Sequence, residues 1–119
     1  MGGNNLAGPL GEDKAAEFLK KNGYTILKRN YRTIGIEIDI IAQTGNTICF
    51  VEVKTRKSDR YGRPEEYVSS KKRKRYMTAA SIFSSQRKYS QFFLRFDIIS
   101  ITYQSGSIHI NHIVNAYED

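Results

Sequence analysis

Cysteine occurs once in the 119-residue chain, at Cys49, so no disulfide framework can form within it. The two histidines, His109 and His112, differ by three in number and face opposite ways on a regular strand, and no third ligand of structural-zinc type accompanies them. They read as surface or edge residues. No apolar run approaches the roughly 18 residues that cross a bilayer, and no secretory h-region is visible, so the expectation is a soluble cytoplasmic protein. Internal repeats, low-complexity tracts and an interdomain linker are also missing. One domain over residues 1–119 is expected, with residues 1–7 a loose terminus.

What is present is a core-forming fraction, 39% hydrophobic, and an uneven charge. Residues 54–88 hold twelve Lys or Arg against three Asp or Glu, a net of +9, while the rest of the chain nets −2. Within that segment Lys71-Lys72-Arg73-Lys74-Arg75 forms a basic run, an electrostatic footprint for a polyanion. The plainer reading is a helix face kept soluble by its charges. A membrane surface ranks low, because no long exposed Trp/Phe/Leu face accompanies the run.

Patterning predicts the element order α-β-β-β-α-β-β. Residues 9–21 form a helix, with Pro9 in its first turn, Ala15, Ala16, Phe18 and Leu19 as its apolar side, and Asn22-Gly23 as its stop. Glu12, spaced i+4 and i+7 from Ala16 and Leu19, lies along or beside the buried stripe. Strands are expected over 24–31, 35–43, 47–55, 92–102 and 108–114, with a loop over 55–63 that orders on binding a ligand. A long helix runs from Pro64 or Tyr67 to Ser84, its inner face made by Val68, Tyr76, Ala79, Ala80 and Phe83 and the basic run mostly outward.

The two strands over 35–43 and 47–55 carry the most information. Gly45-Asn46 is a type II′ hairpin signal, and a two-residue loop there makes opposed residue numbers sum to 91. Asp39 then faces Glu52, and Glu37 faces Lys54. Ile36, Ile38, Ile40, Ala42, Cys49, Val51 and Val53 would fill the other, buried face. Cys49 is thus a small core residue. Like charges set opposite at roughly 4.5 to 5.5 Å destabilise a sheet, and a divalent cation offsets the repulsion. Asp97, following Arg95 and Phe96, reads as half of a structural ion pair.

These residues carry a resemblance. Asp39 followed by Glu52-Val53-Lys54 resembles the Asp…(Asp/Glu)-x-Lys signature of the PD-(D/E)XK nuclease superfamily, with its restriction-endonuclease-like α/β fold. Nearly the whole chain resembles the small bacterial YraN-like family placed in that superfamily. The matching pieces are Gly11-Glu12 with Ala15-Ala16, Arg29-Asn30-Tyr31-Arg32, Glu37 to Ala42, Phe50 to Arg56, Tyr61 to Pro64, Val68 with Lys72, Arg95-Phe96-Asp97 and Asn115-Ala116-Tyr117. One departure stands out: Ile36 replaces the second glycine of the family's Gly-Gly-Glu-Ile-Asp.

The resemblance implies a metal-dependent endonuclease or junction-resolvase-like phosphodiesterase. Asp39 and Glu52, with Glu12 and the Val53 carbonyl, would hold Mg²⁺ or Mn²⁺. Lys54 would act at the scissile phosphate and Glu37 would position Lys54. Arg56, Lys71, Lys72, Arg73, Lys74 and Arg75 would contact nucleic acid, with DNA ranked ahead of RNA. Junction-resolving relatives act as dimers, which adds a homodimer to the implied partners. The competing reading is a nucleic-acid-binding module of the same fold that makes no cut.

Overall fold

The computed structural model describes residues 9–56 and 70–117, with only the backbone for Pro9 and Leu10. The expected segment from Tyr61 to Pro64, together with Tyr67 and Val68, lies outside them, as does the loop over 57–63. Among the described residues the order is α1 (Pro9–Lys21), β1 (Thr25–Thr33), β2 (Ile36–Thr44), β3 (Thr47–Arg56), α2 (Ser70–Ser84), a 3-10 turn (Arg87–Tyr89), β4 (Phe93–Gln104) and β5 (Ser107–Ile113). The α-β-β-β-α-β-β order is therefore the observed one, and the chain is an α/β protein. No helix among the described residues is long and apolar enough to cross a membrane.

The strands form one mixed sheet in the order β1-β2-β3-β4-β5. All neighbours are antiparallel except β3 and β4, which pair in parallel from Thr47↔Phe93 to Arg56↔Thr102 with α2 in the connection between them. Burial follows from that topology. Helix α1 covers one face through Ala15, Ala16 and Leu19, packed on Ile40, Ala42, Cys49, Val51, Ile99 and Ile101. Helix α2 covers the other through Tyr76, Ala79, Ala80 and Phe83, packed on Ile36, Ile38, Ile41, Ile48 and Phe50. Strand β3, enclosed on both sides, reads Ile48-Cys49-Phe50-Val51 as a continuous buried run rather than an alternation.

Local signals end the elements where the residues require. Gly23, at φ +89°, terminates α1 in a Schellman arrangement: Tyr24 N donates to Leu19 O at 3.0 Å and Gly23 N to Lys20 O at 3.1 Å. At the β2–β3 turn Gly45 carries the positive φ and Asn46 does not, as a type II′ turn requires.

Two expectations about the hairpin need correcting. Its register sums to 91 as expected, from Thr44↔Thr47 to Ile40↔Val51, but the ladder ends there. Asp39 does not pair with Glu52, nor Glu37 with Lys54, because the two strands part beyond Ile40. The proposed single apolar face is also divided. Ile40, Ala42, Cys49, Val51 and Val53 pack with α1, whereas Ile36 and Ile38 pack with α2. The alternation breaks at Asp39, next to Asn30, whose φ of +55° interrupts β1 between the pairs Arg29↔Ile40 and Tyr31↔Ile38.

Candidate functional site

The parted ends of β2 and β3 leave backbone groups without ladder partners, and a side chain takes up one of them. Val53 N donates to Asp39 Oδ2 at 2.8 Å, so the Asp39 carboxylate continues the β2–β3 connection where main-chain pairing stops. Burial pushes the Asp39 pKa from 3.8 up to about 6; the Val53 N–H pulls the other way, and Glu12, Glu52 and Glu37 push it further up. Three other carboxylates of this region thus act on Asp39.

Glu52 lies on the α2 side of β3 and is 7% exposed. Its Oε2 receives two ammonium groups, Lys72 Nζ from α2 at 2.6 Å and Lys54 Nζ, two residues along the same strand, at 3.3 Å. Its Oε1 is buried and has no hydrogen-bond partner among the described residues. Burying a carboxylate oxygen with nothing opposite it is unfavourable, and a cation or its bound water satisfies it.

Glu12 and Glu37 reach the site by another route. With its amide nitrogen turned toward them, Asn30 bridges the two, at 2.9 Å from Glu37 Oε2 and 3.0 and 3.3 Å from the Glu12 oxygens. Arg29 lies 3.7 Å from Glu12 and 2.8 Å from Asp13, tying the start of α1 to β1. Glu12 therefore does approach the site from its helix. Glu37 does not contact Lys54; its ionic neighbour is Arg32 at 3.6 Å, opposite it in the β1–β2 ladder. The hairpin's parted ends explain the change, since they carry Glu37 toward β1.

The basic run divides between inward and outward roles, so the expectation that it faces mostly outward holds only in part. Lys71, Lys74 and Arg75 are exposed and Lys72 and Arg73 half-buried. Lys72 pairs with Glu52, Arg75 donates to Gly35 O at 3.2 Å, and the Arg73 guanidinium sits 5.5 Å from the centre of the Tyr117 ring. Arg56 ends β3 on the same strand as Glu52 and Lys54. Asn30, bridging Glu12 and Glu37, is a participant that the sequence reading left without a role, although an Asn in mid-strand among β-formers is itself a signal.

Divalent-ion chemistry fits this donor set. Among the described residues no three His, Cys, Asp or Glu side chains stand ready as a cage. Mg²⁺ and Mn²⁺ suit oxygen donors, and Mg²⁺ in particular is held by one or two carboxylates completed by water and phosphate oxygens. Asp39 and the unpartnered Glu52 Oε1 offer such a set.

Away from this site, Asp97 is buried and accepts from Arg95 Nε and Nη2 at 3.0 and 2.8 Å and from Asn115 N at 3.1 Å, with His112 Nε2 at 2.8 Å. Burial pushes its pKa up, yet hydrogen bonds from His112, Arg95 and Asn115 outweigh it and hold the carboxyl below the usual range. The expected ion pair with Arg95 is present. The two histidines lie on the edge strand β5 and face opposite ways, as expected: His109 is exposed, whereas His112 is half-buried against Phe18 and Tyr24 at 6.0 and 5.9 Å between ring centres. Cys49 is buried, and burial pushes its thiol up to about 12, which leaves it inert.

Comparison with known proteins follows the same outline. A UPF0102 protein of Geobacter metallireducens is 44% identical over 115 residues, covering 97% of this chain and 94% of the relative. That of Syntrophomonas wolfei is 41% identical, covering 96% and 99%, and that of Caldicellulosiruptor saccharolyticus 44%, covering 92% and 95%. The uncharacterised protein family UPF0102 matches residues 11–101, a span that contains Glu12, Asp39, Glu52, Lys54 and Asp97, and the chain belongs to that family, the YraN-like group its motifs resemble.

Proposed function

We propose that this protein is a metal-dependent phosphodiesterase of restriction-endonuclease-like fold that cuts nucleic acid, with DNA ranked ahead of RNA as its substrate. The observation that carries the reading is the Asp39 carboxylate held on Val53 N at 2.8 Å beyond the end of the hairpin ladder, within the field of Glu52, with Lys54 on the Glu52 strand 3.3 Å from that carboxylate. Asp39, Glu52 and Glu12 with the Val53 carbonyl would hold Mg²⁺ or Mn²⁺. Such an ion, when bound, polarises a phosphodiester oxygen and lowers the pKa of water.

The chain's own residues supply the remainder. Val53 N–H fixes the Asp39 carboxylate on the backbone through Oδ2, leaving its second oxygen outside that hydrogen bond. Lys54 places a compact ammonium beside the acidic pair, where it stabilises charge developing on a phosphate. Asn30 holds Glu12 and Glu37 in fixed orientation. Exposed Lys71 and Lys74, with Arg56, draw in the phosphate backbone. A homodimer acting on two strands is the assembly that the nuclease resemblance implies.

A second reading, a binding module without cleavage, is favoured by one observation: Lys54 and Lys72 both neutralise Glu52 from within the protein. The two readings separate on a cleavage screen over junction, flap, duplex and single-stranded substrates with Mg²⁺ or Mn²⁺. Cutting that disappears in folded Asp39→Ala and Glu52→Ala proteins supports the enzyme. Cutting that survives both substitutions rules out this site, and binding without cutting favours the module.

A further inference from the structure

Helix α2 reaches the acidic site with more than one side chain, and the way Lys72 does so differs from a substrate contact. Its Nζ lies 2.6 Å from Glu52 Oε2, closer than Lys54 at 3.3 Å, and is only partly exposed. Three residues further along the helix, one turn on, Arg75 Nη2 donates to Gly35 O, in the turn that leads into Glu37. Next to Arg75 and one turn on from Lys72, Tyr76 is buried, its hydroxyl group's pKa raised by burial and by the nearby Glu52 and Asp39 charges. The basic end of α2 is therefore fastened to β3 and to the turn that opens β2.

We infer that Lys72 is a built-in counter-ion: its ammonium compensates Glu52 while the divalent ion is absent and competes with that ion for the acidic pair. The inference rests on the cation-site reading above and extends it to a residue on a different element. Three observations converge. Glu52 is buried and so requires compensation when no ion is present. Lys72 takes Oε2 and leaves Oε1, the buried oxygen without a partner, for another cation or water. Asp39 carries no ammonium of its own among its described contacts, only the Val53 N–H, so a dication arriving between the acids meets one bare carboxylate and one already shared with Lys72 and Lys54.

The consequence is an exchange. On ion uptake the pull on Lys72 weakens, because a unit positive charge within a few ångströms of a dication is repelled at interior dielectric. Lys72 then turns from carboxylate to substrate phosphate, and ion binding and engagement of the backbone become linked through one side chain. Lys72 is in this account a positioning residue for the cation.

The test is Mn²⁺ titration calorimetry on the full chain without nucleic acid, comparing parent, Lys72→Met and Lys72→Arg. Lys72→Met should bind Mn²⁺ about tenfold more tightly than the parent, since it removes the competing charge while keeping the stem. Lys72→Arg, which keeps the charge, should stay within about twofold of the parent. Equal affinity in parent and Lys72→Met, or weaker binding in Lys72→Met, overturns the inference while leaving the cation site standing. No Mn²⁺ uptake by any of the three overturns both. Thermal melting without metal guards against misfolding: Lys72→Met should melt cooperatively but below the parent, because Glu52 loses a partner. If Lys72→Met does not fold, the Lys72→Gln protein takes its place under the same criteria.

Discussion

Asp39 Oδ2 accepts a hydrogen bond from Val53 N at 2.8 Å, one residue beyond the last β2–β3 ladder pair, Ile40↔Val51. A carboxylate thus stands in for a backbone carbonyl, and its charge is confined where the strands part. The acid titrates near 6 in the folded chain against 3.8 for the ordinary group, so the folded state binds the proton more tightly than the unfolded chain does. The stabilising contribution of the protonated form is complete below pH about 4 and is lost as pH rises through about 6. In the metal-free protein, Asp39→Asn should therefore be more stable than the parent at pH 8 by about 2 to 3 kcal/mol, the two converging near pH 4. Urea denaturation at the two pH values measures this, and a parent equal to or more stable than Asp39→Asn at pH 8 contradicts it.

The Asp97 cluster gives the opposite sign. Its pKa is held below the ordinary carboxylate value, so its contribution is fully present above pH about 4 and disappears as pH falls through the lower, folded value. Asp97→Ala removes the acceptor shared by Arg95 and His112 and leaves the Arg95 guanidinium without its carboxylate. A loss of about 3 kcal/mol at pH 7 is expected, shrinking in acid, by urea denaturation. A loss independent of pH between 7 and 3 would contradict the assignment.

The β1–β2 turn stores strain at a position with little else to do. Ile34 has φ +47° and Gly35 φ +74°, both positive as a type I′ turn requires, yet Ile34 is β-branched and exposed. Ile34→Asn should raise stability by about 1 kcal/mol, because Asn tolerates the left-handed region. Gly35→Ala should lower it by about 1 kcal/mol, since an added Cβ would sit 3.2 Å from Arg75 Nη2 at an unfavourable φ. Thermal melting of the two variants in parallel decides both signs.

Lys71 and Lys74 are exposed, whereas Lys72 has a carboxylate partner. If the basic helix tracks a phosphate backbone, Lys71→Ala and Lys74→Ala should each reduce the slope of log affinity against log salt for duplex DNA by about 1, with similar loss for every sequence. Fluorescence anisotropy from 50 to 200 mM salt measures the slope. An unchanged slope in both variants would assign these lysines to solubility alone.

Much of this organisation was legible because it is local. Gly23 and Gly45 mark ends through backbone angles that side chains disfavour, and the spacing of Ala15, Ala16 and Leu19 fixes which face of α1 is buried. The hairpin register followed from its turn. What spacing alone did not reveal depends on long-range geometry: the ladder stops at Ile40, the Asp39 carboxylate takes the Val53 donor beyond it, and Asn30 turns β1 at the same level. The division of Ile38 and Ile40 between two faces follows from that break. Lys72 meeting Glu52 joins residues twenty apart in number across a helix–sheet contact, which no periodicity encodes. The burial of His112 on its edge strand escapes spacing for a related reason, since its partner Asp97 lies on the neighbouring strand and the covering rings come from Phe18 and Tyr24.

The central claim is that Asp39 and Glu52 together take up a divalent cation, and the most direct measurement is Mn²⁺ binding by the full chain, parent against Glu52→Gln, followed by calorimetry at pH 7.5. Saturable uptake by the parent and its loss in a folded Glu52→Gln protein are expected. Equal uptake by both, or none by the parent, would contradict it.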